Sequence, residues 1–432
     1  MVDFIYDVSR LSTRTLNATP NGIDWIDSLL ADYFLSPSGG GASALLFGFL
    51  GPRLFPPGRL ANPVRALDQA WGRDAQECAG AIPEWLISAL TGDRDAAGLR
   101  IGAPGAIRRE ARRLGRVARS LGTYGFSPGR DPEKSAPSGA VYLNASHFPL
   151  EQPRHVRWLE QRRDIRPVMF VHDLLPVLRP DLFWSGEPGR HDRRLAFLAR
   201  RGAAAIVASS AVESLLDDHM KKSGRRDLPI LRAPPPVLPL FRRPCPLDPR
   251  LARANFFVVC GTIEPRKNHL LLIEVWRRLA GARGADAPRL LLVGKRGWRC
   301  DDIVASIRDP ALRGLVIEAS GLSTAAYRGV LAHARALLSP SLAEGFGLPV
   351  AEALAARIPV IASAIAPHFE QGGQAPVYLD LHRPEDWFLA VEDFARADSS
   401  ARAEALVRLD ACHPVDPAAY CATLRGALAS LG

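Results

Sequence analysis

Short apolar runs alternate with amphipathic stretches along almost the whole chain. In the first half, the apolar runs that predict strands are residues 4–6, 44–49, 141–144, 168–171 and 205–208. Apolar residues recur at helical spacing between them, over residues 23–34 and 190–201. Such alternation is typical of parallel sheets flanked by helices, so the predicted fold class is α/β.

The same pattern starts again after a proline-rich stretch, APPPVLPLFRRPCPLDP, at residues 233–249. The strands predicted in this second half are residues 256–260, 290–293, 315–318, 336–339 and 360–362, and its helices are residues 269–280, 324–334 and 349–356. The chain is therefore predicted to form a first domain (1–235), a linker (236–255) and a second domain (256–415), with a C-terminal helix (416–432) that packs back on the first. Glycine and proline favour loops at residues 51–64 and 123–138.

Length and composition fit two folded domains. The chain has 432 residues, of which 47% are hydrophobic and 23% charged, far from the composition of disordered proteins. Acidic residues stand where a signal peptide would be basic and apolar, and no apolar run is long enough to cross a membrane. The six cysteines are scattered, so neither a zinc site nor a disulfide framework is indicated. These features predict a cytoplasmic protein.

A net charge of +10 predicts an anionic partner. The densest basic segment, residues 106–122, combines six arginines with apolar residues at helical spacing, so it predicts an amphipathic basic helix. Such a helix either packs on its own domain as a solvated face or contacts an anionic membrane, and the sequence leaves both alternatives open. Nucleic acid is not expected as a partner, because no aromatic residues interleave the basic ones.

The segment from 337 to 363 carries the most informative chemistry. A predicted strand is followed by a loop with Glu344, Gly345 and Gly347, and Pro349 stands where a first helical residue belongs. The free N–H groups of such a helix terminus suit a phosphate or sugar hydroxyls, and Glu352 lies one turn inside the helix. A simple glycine-rich turn is the alternative.

A second segment, from 258 to 276, places two cations after a strand. Gly261 follows the strand, and Arg266 and Lys267 precede a helix whose predicted N-cap is Asn268. Two cations at the carboxyl end of a strand can neutralise a diphosphate without a divalent metal. A solvated cationic loop is the alternative.

Together, GTIEPRKN and the glutamates of PSLAEGFGLPVAEALA resemble the retaining GT-B glycosyltransferases of family 4, which include bacterial polysaccharide and O-antigen mannosyltransferases. The resemblance implies two Rossmann-like doubly wound domains that face each other across a cleft. It implies that Arg266 and Lys267 bind the donor diphosphate, that Glu344 contacts the donor sugar and that Glu352 holds the ribose hydroxyls. Further donor contacts are expected at Gly22, Gly261, Gly294, Gly345, Phe346, Gly347 and Leu348.

Two histidines in the first half extend the resemblance. VMFVHDLLP places His172 at the end of a strand, where many relatives carry a histidine that contacts the transferred sugar. YLNASHF places His147 at another strand end, where it is expected to face the acceptor. The long loops around residues 51–64 and 123–138 match no pattern of the family.

The function implied is that of a retaining, metal-independent hexosyltransferase in bacterial surface polysaccharide synthesis. It would need no cofactor beyond its nucleotide-sugar substrate, with GDP-mannose expected as the donor and a UDP-hexose as the alternative. The implied acceptor is a lipid-linked saccharide or polysaccharide, which would place the protein at the inner face of the cell membrane. No DxD metal motif stands at a strand end. A non-catalytic subunit that binds sugar nucleotides remains the alternative from another class.

Overall fold

Both halves of the chain contain the predicted succession of strands and helices. The computed structural model describes residues 2–15, 17, 20–49, 51–71, 81–92, 100–101, 115 and 129–431. The strands are β1 (Phe4–Asp7), β2 (Ser43–Gly48), β3 (Gly51–Phe55), β4 (Arg100–Ile101), β5 (Val141–Asn144), β6 (Arg166–Val171), β7 (Ala204–Val207), β8 (Ile230–Arg232), β9 (Phe256–Cys260), β10 (Arg289–Val293), β11 (Val316–Ser320), β12 (Leu337–Ser339), β13 (Val360–Ser363) and β14 (Val377–Leu379). The α-helices are α1 (Ser9–Thr13), α2 (Gly22–Leu35), α3 (Ala61–Ala70), α4 (Glu84–Thr91), α5 (Pro132–Ser135), α6 (Pro153–Gln161), α7 (Leu175–Leu178), α8 (Glu187–Arg201), α9 (Ser210–Lys222), α10 (Pro239–Arg242), α11 (His269–Arg283), α12 (Asp301–Ile307), α13 (Thr324–His333), α14 (Leu348–Ala355), α15 (Ala366–Gly372), α16 (Pro384–Ala395), α17 (Ser400–Arg408) and α18 (Pro417–Ala429).

The first of two compact units is formed by residues within 1–71, 108–236 and 415–432. Its seven-stranded sheet has the order β3-β2-β1-β5-β6-β7-β8. All neighbouring strands are parallel except β2 and β3, which pair antiparallel at one edge. Strands β5 and β7 are buried along their whole length, as expected for parallel strands covered by helices. The C-terminal helix α18 belongs to this unit, where Arg425 Nε donates to the Gly39 carbonyl at 2.7 Å.

The second unit is formed by residues within 72–107 and 237–414. Its seven strands have the order β14-β13-β12-β9-β10-β11-β4 and are parallel throughout. Trp276 and Trp387 are fully buried in its core, and their indole N–H groups donate to backbone carbonyls at 2.7 and 3.0 Å. Two such sheets confirm the predicted α/β class.

The prediction of a loop at residues 51–64 is wrong. Residues Gly51–Phe55 form β3, and α3 begins at Ala61. The strand was missed because it contains Pro52, which has no N–H to donate; β3 lies at the sheet edge, where a proline is tolerated. Within the other predicted loop, 123–138, Pro132–Ser135 form α5, and residues 123–128 lie outside the described part. The predicted basic helix at 106–122 also lies outside it, apart from Gly115.

The unit boundaries differ from the predicted domain boundaries in two respects. Residues 237–255 of the predicted linker belong to the second unit. Helix α4 and strand β4 come from the first half of the sequence but belong to the second unit. Strand β4 pairs in parallel with β11, with Arg100 opposite Ala319, and Glu84 of α4 lies 2.7 Å from Arg250. A strand of two residues carries no readable periodicity, so the sequence pattern could not assign this segment.

Candidate functional site

The chain order of the second sheet reverses between β9 and β12. From β9 the chain continues to β10 and β11 on one side, and it then returns to β12, which pairs with β9 on the other side. In open parallel sheets, ligands bind outside the carboxyl ends of the strands at such a switch point. Residues that directly follow β9 and β12 are therefore the first candidates for a site.

Three of the predicted residues, Arg266, Lys267 and Glu344, form an ion-paired cluster at this switch point. Lys267 Nζ lies 2.5 Å from Glu344 Oε1, and Arg266 Nη1 lies 2.6 Å from Glu344 Oε2. Ser341 Oγ donates to the same Oε1 at 2.7 Å. The Arg266 guanidinium also lies 2.9 Å from Glu264. We call Arg266, Lys267 and Glu344 the cation cluster.

The cation cluster is largely shielded from solvent. The side chains of Lys267 and Glu344 are 10% and 7% exposed, so the two cations are not a solvated loop. Burial alone would raise the pKa of Glu344, but the charges of Arg266 and Lys267 and the hydrogen bonds from Lys267 and Ser341 outweigh it. The pKa of this carboxyl is held well below its ordinary value, and Glu344 is ionised at neutral pH.

Two glycines allow the strand ends beside Lys267 to approach each other. Gly261 follows β9 with φ of 144°, and a Cβ atom there would lie 3.0 Å from Lys267 Cε. Gly294 follows β10, and a Cβ atom there would lie 1.8 Å from the Gly261 carbonyl oxygen. Because no side chain fits at that distance, position 294 requires glycine.

The predicted loop at 345–348 leads directly into α14. Gly347 has φ of 87°, and the helix begins at Leu348 with Pro349 in its first turn. Within the part of the chain that the structure describes, the N–H groups of Phe346, Gly347 and Leu348 have no hydrogen-bond partner. Unpaired N–H groups at a helix start can bind an anion, as the sequence predicts for this loop.

Glu352 lies inside α14, and the pKa of its carboxyl is shifted in the opposite direction from that of Glu344. It is buried, and burial raises the pKa of its carboxyl to about 8. The pKa of the Cys260 thiol is raised, mainly by burial and then by the charge of Glu352. Glu352 therefore lies close to Cys260, at the end of β9. Among the described residues, its carboxyl has no hydrogen-bond or ion-pair partner. A buried acid without a partner is costly in the free protein, which makes it a candidate ligand contact.

The sequence analysis missed a set of buried polar residues beneath this loop. His368 Nδ1 lies 3.0 Å from the Ser363 carbonyl, and its Nε2 lies 3.2 Å from Ser339 Oγ. A Cβ atom at Gly347 would lie 3.2 Å from the same ring. Burial lowers the pKa of His368, so the ring is neutral and joins the ends of β12 and β13 below the helix start. Polar residues directly after apolar strands were the only available signal.

In the first unit, the structure brings His172 and His147 together and adds His191. The Nε2 atom of His172 lies 2.7 Å from the Ala145 carbonyl oxygen, which can only accept, so Nε2 carries the proton. Burial lowers the pKa of His172 to about 3, which leaves Nδ1 as a hydrogen-bond acceptor. The ring of His147 lies 4.9 Å from that of His172 and 5.4 Å from that of His191.

Asp7 occupies the switch point of the first sheet, between β1 and β5. Its carboxylate accepts hydrogen bonds from the Ser9 N–H at 2.9 Å and from Asn144 Nδ2 at 3.1 Å, and it lies 2.9 Å from His155 Nε2. Burial would raise the pKa of Asp7, but the charge and hydrogen bond of His155 and the hydroxyl hydrogen bonds of Ser9 and Tyr142 lower it below its ordinary value. The sequence analysis did not single out Asp7, although an acidic residue directly after the apolar run 4–6 could have indicated a polar strand end.

Gly22, which the resemblance gives as a donor contact, lies at the start of a helix. Helix α1 intervenes between β1 and α2, and Gly22 is the first residue of α2. Asn21 caps this helix, because its side chain accepts from the Asp24 N–H at 2.9 Å while the Asp24 carboxylate accepts from the Asn21 N–H at 3.2 Å. Gly22 therefore belongs to a capped helix start rather than to a loop between strand and helix.

Comparison with known families yields a match over the part of the chain that holds the cation cluster. Residues 254–397, which contain the cation cluster and Glu352, match the family model described as glycosyl transferases group 1. The second unit therefore carries a group 1 glycosyltransferase domain, and the resemblance predicted from the two motifs is confirmed.

The most similar curated proteins include mannosyltransferases. The serotype-specific mannosyltransferase WbdA of Escherichia coli is 30% identical over 251 residues, which cover 52% of this chain and 29% of the relative. The O-antigen chain mannosyltransferase B of Escherichia coli is 30% identical over 151 residues, which cover 35% of this chain and 38% of the relative. The chain thus spans well under half the length of these relatives.

Solved structures with similar folds match the whole chain. The Anabaena protein HepE, solved in complex with UDP-glucose, superimposes with a TM-score of 0.58 at 14% identity, and the match covers 100% of both chains. The trehalose 6-phosphate synthase of Burkholderia multivorans gives a TM-score of 0.55 at 13% identity, with 100% of this chain and 97% of the other covered. At such identity the likeness concerns the fold alone, and it confirms the predicted GT-B class.

No helix in the described ranges has the length and apolar character needed to cross a membrane. The same residues contain no group of three or more His, Cys, Asp or Glu side chains placed to hold a metal ion.

Proposed function

We propose that the chain is a hexosyltransferase that uses a nucleotide diphosphate sugar, with GDP-mannose as the donor. The observation that carries the proposal is the cation cluster at the switch point, beside the helix start after Gly347. Buried Lys267, partly buried Arg266 and the unpaired N–H groups suit a diphosphate. The mannosyltransferase relatives favour mannose, and a UDP-hexose is the alternative donor.

The proposed reaction retains the anomeric configuration and needs no metal. The bond between the anomeric carbon and the diphosphate oxygen breaks, the acceptor hydroxyl oxygen bonds to that carbon on the same face, and its proton passes to the leaving phosphate oxygen. Arg266 and Lys267 stabilise the negative charge that develops on the leaving group, a contribution of about 3 kcal/mol per group in comparable sites. Two positive charges supply the neutralisation that a divalent cation gives elsewhere.

The remaining candidate residues are assigned to the sugar and the nucleoside. Glu344 accepts hydrogen bonds from hydroxyls of the donor sugar, and Glu352 accepts them from the ribose. His172 offers its unprotonated Nδ1 to a hydroxyl of the transferred sugar, a role that its tautomer supports. Gly261 and Gly294 let the donor approach the strand ends closely.

A donor panel tests the proposal directly. The folded chain is incubated with GDP-mannose, UDP-glucose and dTDP-glucose, and its melting temperature and donor hydrolysis are measured with and without EDTA. GDP-mannose at 100 times its dissociation constant is expected to stabilise the chain by about 2.7 kcal/mol. NMR of the first-formed product reports the anomeric configuration. Binding without turnover, in the presence of a polyprenyl-linked saccharide, would instead support a non-catalytic subunit.

Binding of GDP-mannose is expected to release a proton from Glu352. The pKa of this carboxyl is about 8 in the free protein, so it is mostly protonated at pH 7, whereas ribose hydroxyls favour the ionised form. Affinity should therefore increase with pH by up to about tenfold per unit below that pKa and level off above it. Titration calorimetry in buffers of different ionisation enthalpy measures the released proton.

The matched control for this prediction is Glu352→Gln, which keeps the shape of the side chain but cannot titrate. The variant should bind GDP-mannose more weakly, by about 1.5–3 kcal/mol, because it loses a hydrogen bond to a charged group. Its affinity should not change with pH, and no proton should be released. The same pH profile in the variant and the parent would contradict the role assigned to Glu352.

We further propose that the acceptor is a lipid-linked saccharide, which brings the protein to the inner face of an anionic membrane. The relatives named as O-antigen mannosyltransferases support an acceptor in surface polysaccharide synthesis. The net charge of +10 supports contact with an anionic surface.

A further inference from the structure

Helices α6 and α8 of the first unit border a surface groove of about 640 Å³. Arg154 and Arg157 on α6 and Arg193 and Arg200 on α8 line it, and all four side chains are exposed. Arg200 lies 3.5 Å from Glu160. The other three have neither an ion pair nor a hydrogen-bonded side-chain partner in the part of the chain that the structure describes. We call this feature the arginine groove.

The acidic residues of the arginine groove are already neutralised. Glu151 is buried and pairs with Arg190 at 2.6 Å and with Arg194 at 2.9 Å, both from α8. Glu160 is the partner of Arg200. Among the described residues, three guanidinium groups therefore remain without an ion-pair partner on one face of the first unit, and this face attracts anions.

The floor of the arginine groove is apolar. Val156 and Phe197 line it and also belong to the core of the first unit, and Pro153 and Ala196 add small apolar surfaces at its wall. A free inorganic anion would occupy only a small part of about 640 Å³ and would leave the exposed Pro153 and Ala196 uncovered. An occupant that matches both features carries an anionic group for the arginines and an apolar part for these two residues.

We propose that the arginine groove binds the phosphate head groups of anionic phospholipids and so docks the first unit on a bilayer. Arginine suits this ligand because its planar fork donates two hydrogen bonds to phosphate oxygens. The glycerol and upper acyl carbons of the lipid cover the exposed Pro153 and Ala196. The proposal rests on the proposed membrane-bound acceptor, but its test requires no turnover.

The test compares binding of the full chain to vesicles of phosphatidylcholine with and without phosphatidylglycerol, at low ionic strength. The triple variant Arg154→Gln, Arg157→Gln and Arg193→Gln is expected to lose about 100-fold in apparent affinity for the anionic vesicles. A matched control replaces Arg226, Arg253 and Arg308, which are exposed elsewhere on the chain, by Gln. This control removes the same charge and should change the affinity by less than about threefold.

Circular dichroism and the GDP-mannose thermal shift verify that the variants are folded. If none of the chains binds the donor, the proposed function is rejected, but the vesicle result is not affected. The groove proposal is overturned if the parent does not bind anionic vesicles or binds neutral ones equally well. It is also overturned if the triple variant binds like the parent. This includes the case in which replacement of Arg109, Arg112, Arg113 and Arg116 by Gln abolishes binding while the triple variant still binds. Displacement by inorganic phosphate at constant ionic strength would assign the groove to free phosphate instead. A changed oligomeric state of the triple variant would assign it to a second copy.

Discussion

Replacement of Lys267 by methionine is expected to lower donor turnover by about 100-fold while the chain remains folded. If the proposed function is correct, the Nζ atom stabilises charge that develops only as the bond to the diphosphate breaks. Methionine keeps most of the apolar stem, which packs over Gly261. Arg266 and Ser341 still hold Glu344, so the free energy of unfolding should fall by only about 2 kcal/mol.

Turnover at saturating GDP-mannose, corrected for the folded fraction from circular dichroism, measures this effect. Lys222→Met is the matched control, because Lys222 is exposed at the end of α9 in the first unit. It should change neither turnover nor stability. If Lys267→Met unfolds the chain but keeps its activity per folded molecule, the lysine is structural.

The sequence could predict that the residues of the cation cluster meet, because they lie in two short segments with local signals. In each segment an apolar strand is followed by glycine and by charged residues, and the carboxyl ends of parallel strands meet at one edge of the sheet. The contact between Lys267 and Glu344, 77 positions apart, follows from that geometry. The strands β5 and β9 also have their predicted bounds.

Other features depend on packing between distant segments, so the local sequence pattern could not predict them. Nothing near His368 indicates that its ring joins Ser339 to Ser363 under a helix start, because these residues meet only after β12 and β13 have paired. Strand β4 is recognisable only by its pairing with β11. The opposite pKa shifts of Glu344 and Glu352 follow from whether a buried carboxyl has cationic partners, which residue spacing does not reveal.

Replacement of Glu344 by glutamine is expected to uncouple nucleotide binding from turnover. The amide cannot neutralise Arg266 and Lys267, while Glu264 remains as an ion-pair partner of Arg266. Removal of one partner from a buried ion pair costs about 3–5 kcal/mol of stability. GDP supplies the missing negative charge, so it should raise the melting temperature of this variant more than that of the parent chain. Turnover should be lost, because the sugar no longer contacts a carboxylate.

The pH dependence of stability provides an independent test of the same residue. The pKa of Glu344 is lowered in the folded chain, so its contribution to stability is complete above its ordinary pKa of 4.5. This contribution is lost as the pH falls through the lower folded pKa. Chemical denaturation between neutral and acid pH should therefore show a smaller loss of stability for Glu344→Gln than for the parent chain.

Glu385→Gln is the matched control, because Glu385 forms an exposed ion pair with Arg278 in the same unit. Its free energy of unfolding should change by less than about 1 kcal/mol, and GDP should stabilise it as it does the parent chain. If Glu344→Gln binds GDP more weakly than the parent, the carboxylate orders the two cations for the diphosphate instead of competing with it. That result would move Glu344 from the sugar to the phosphate part of the site.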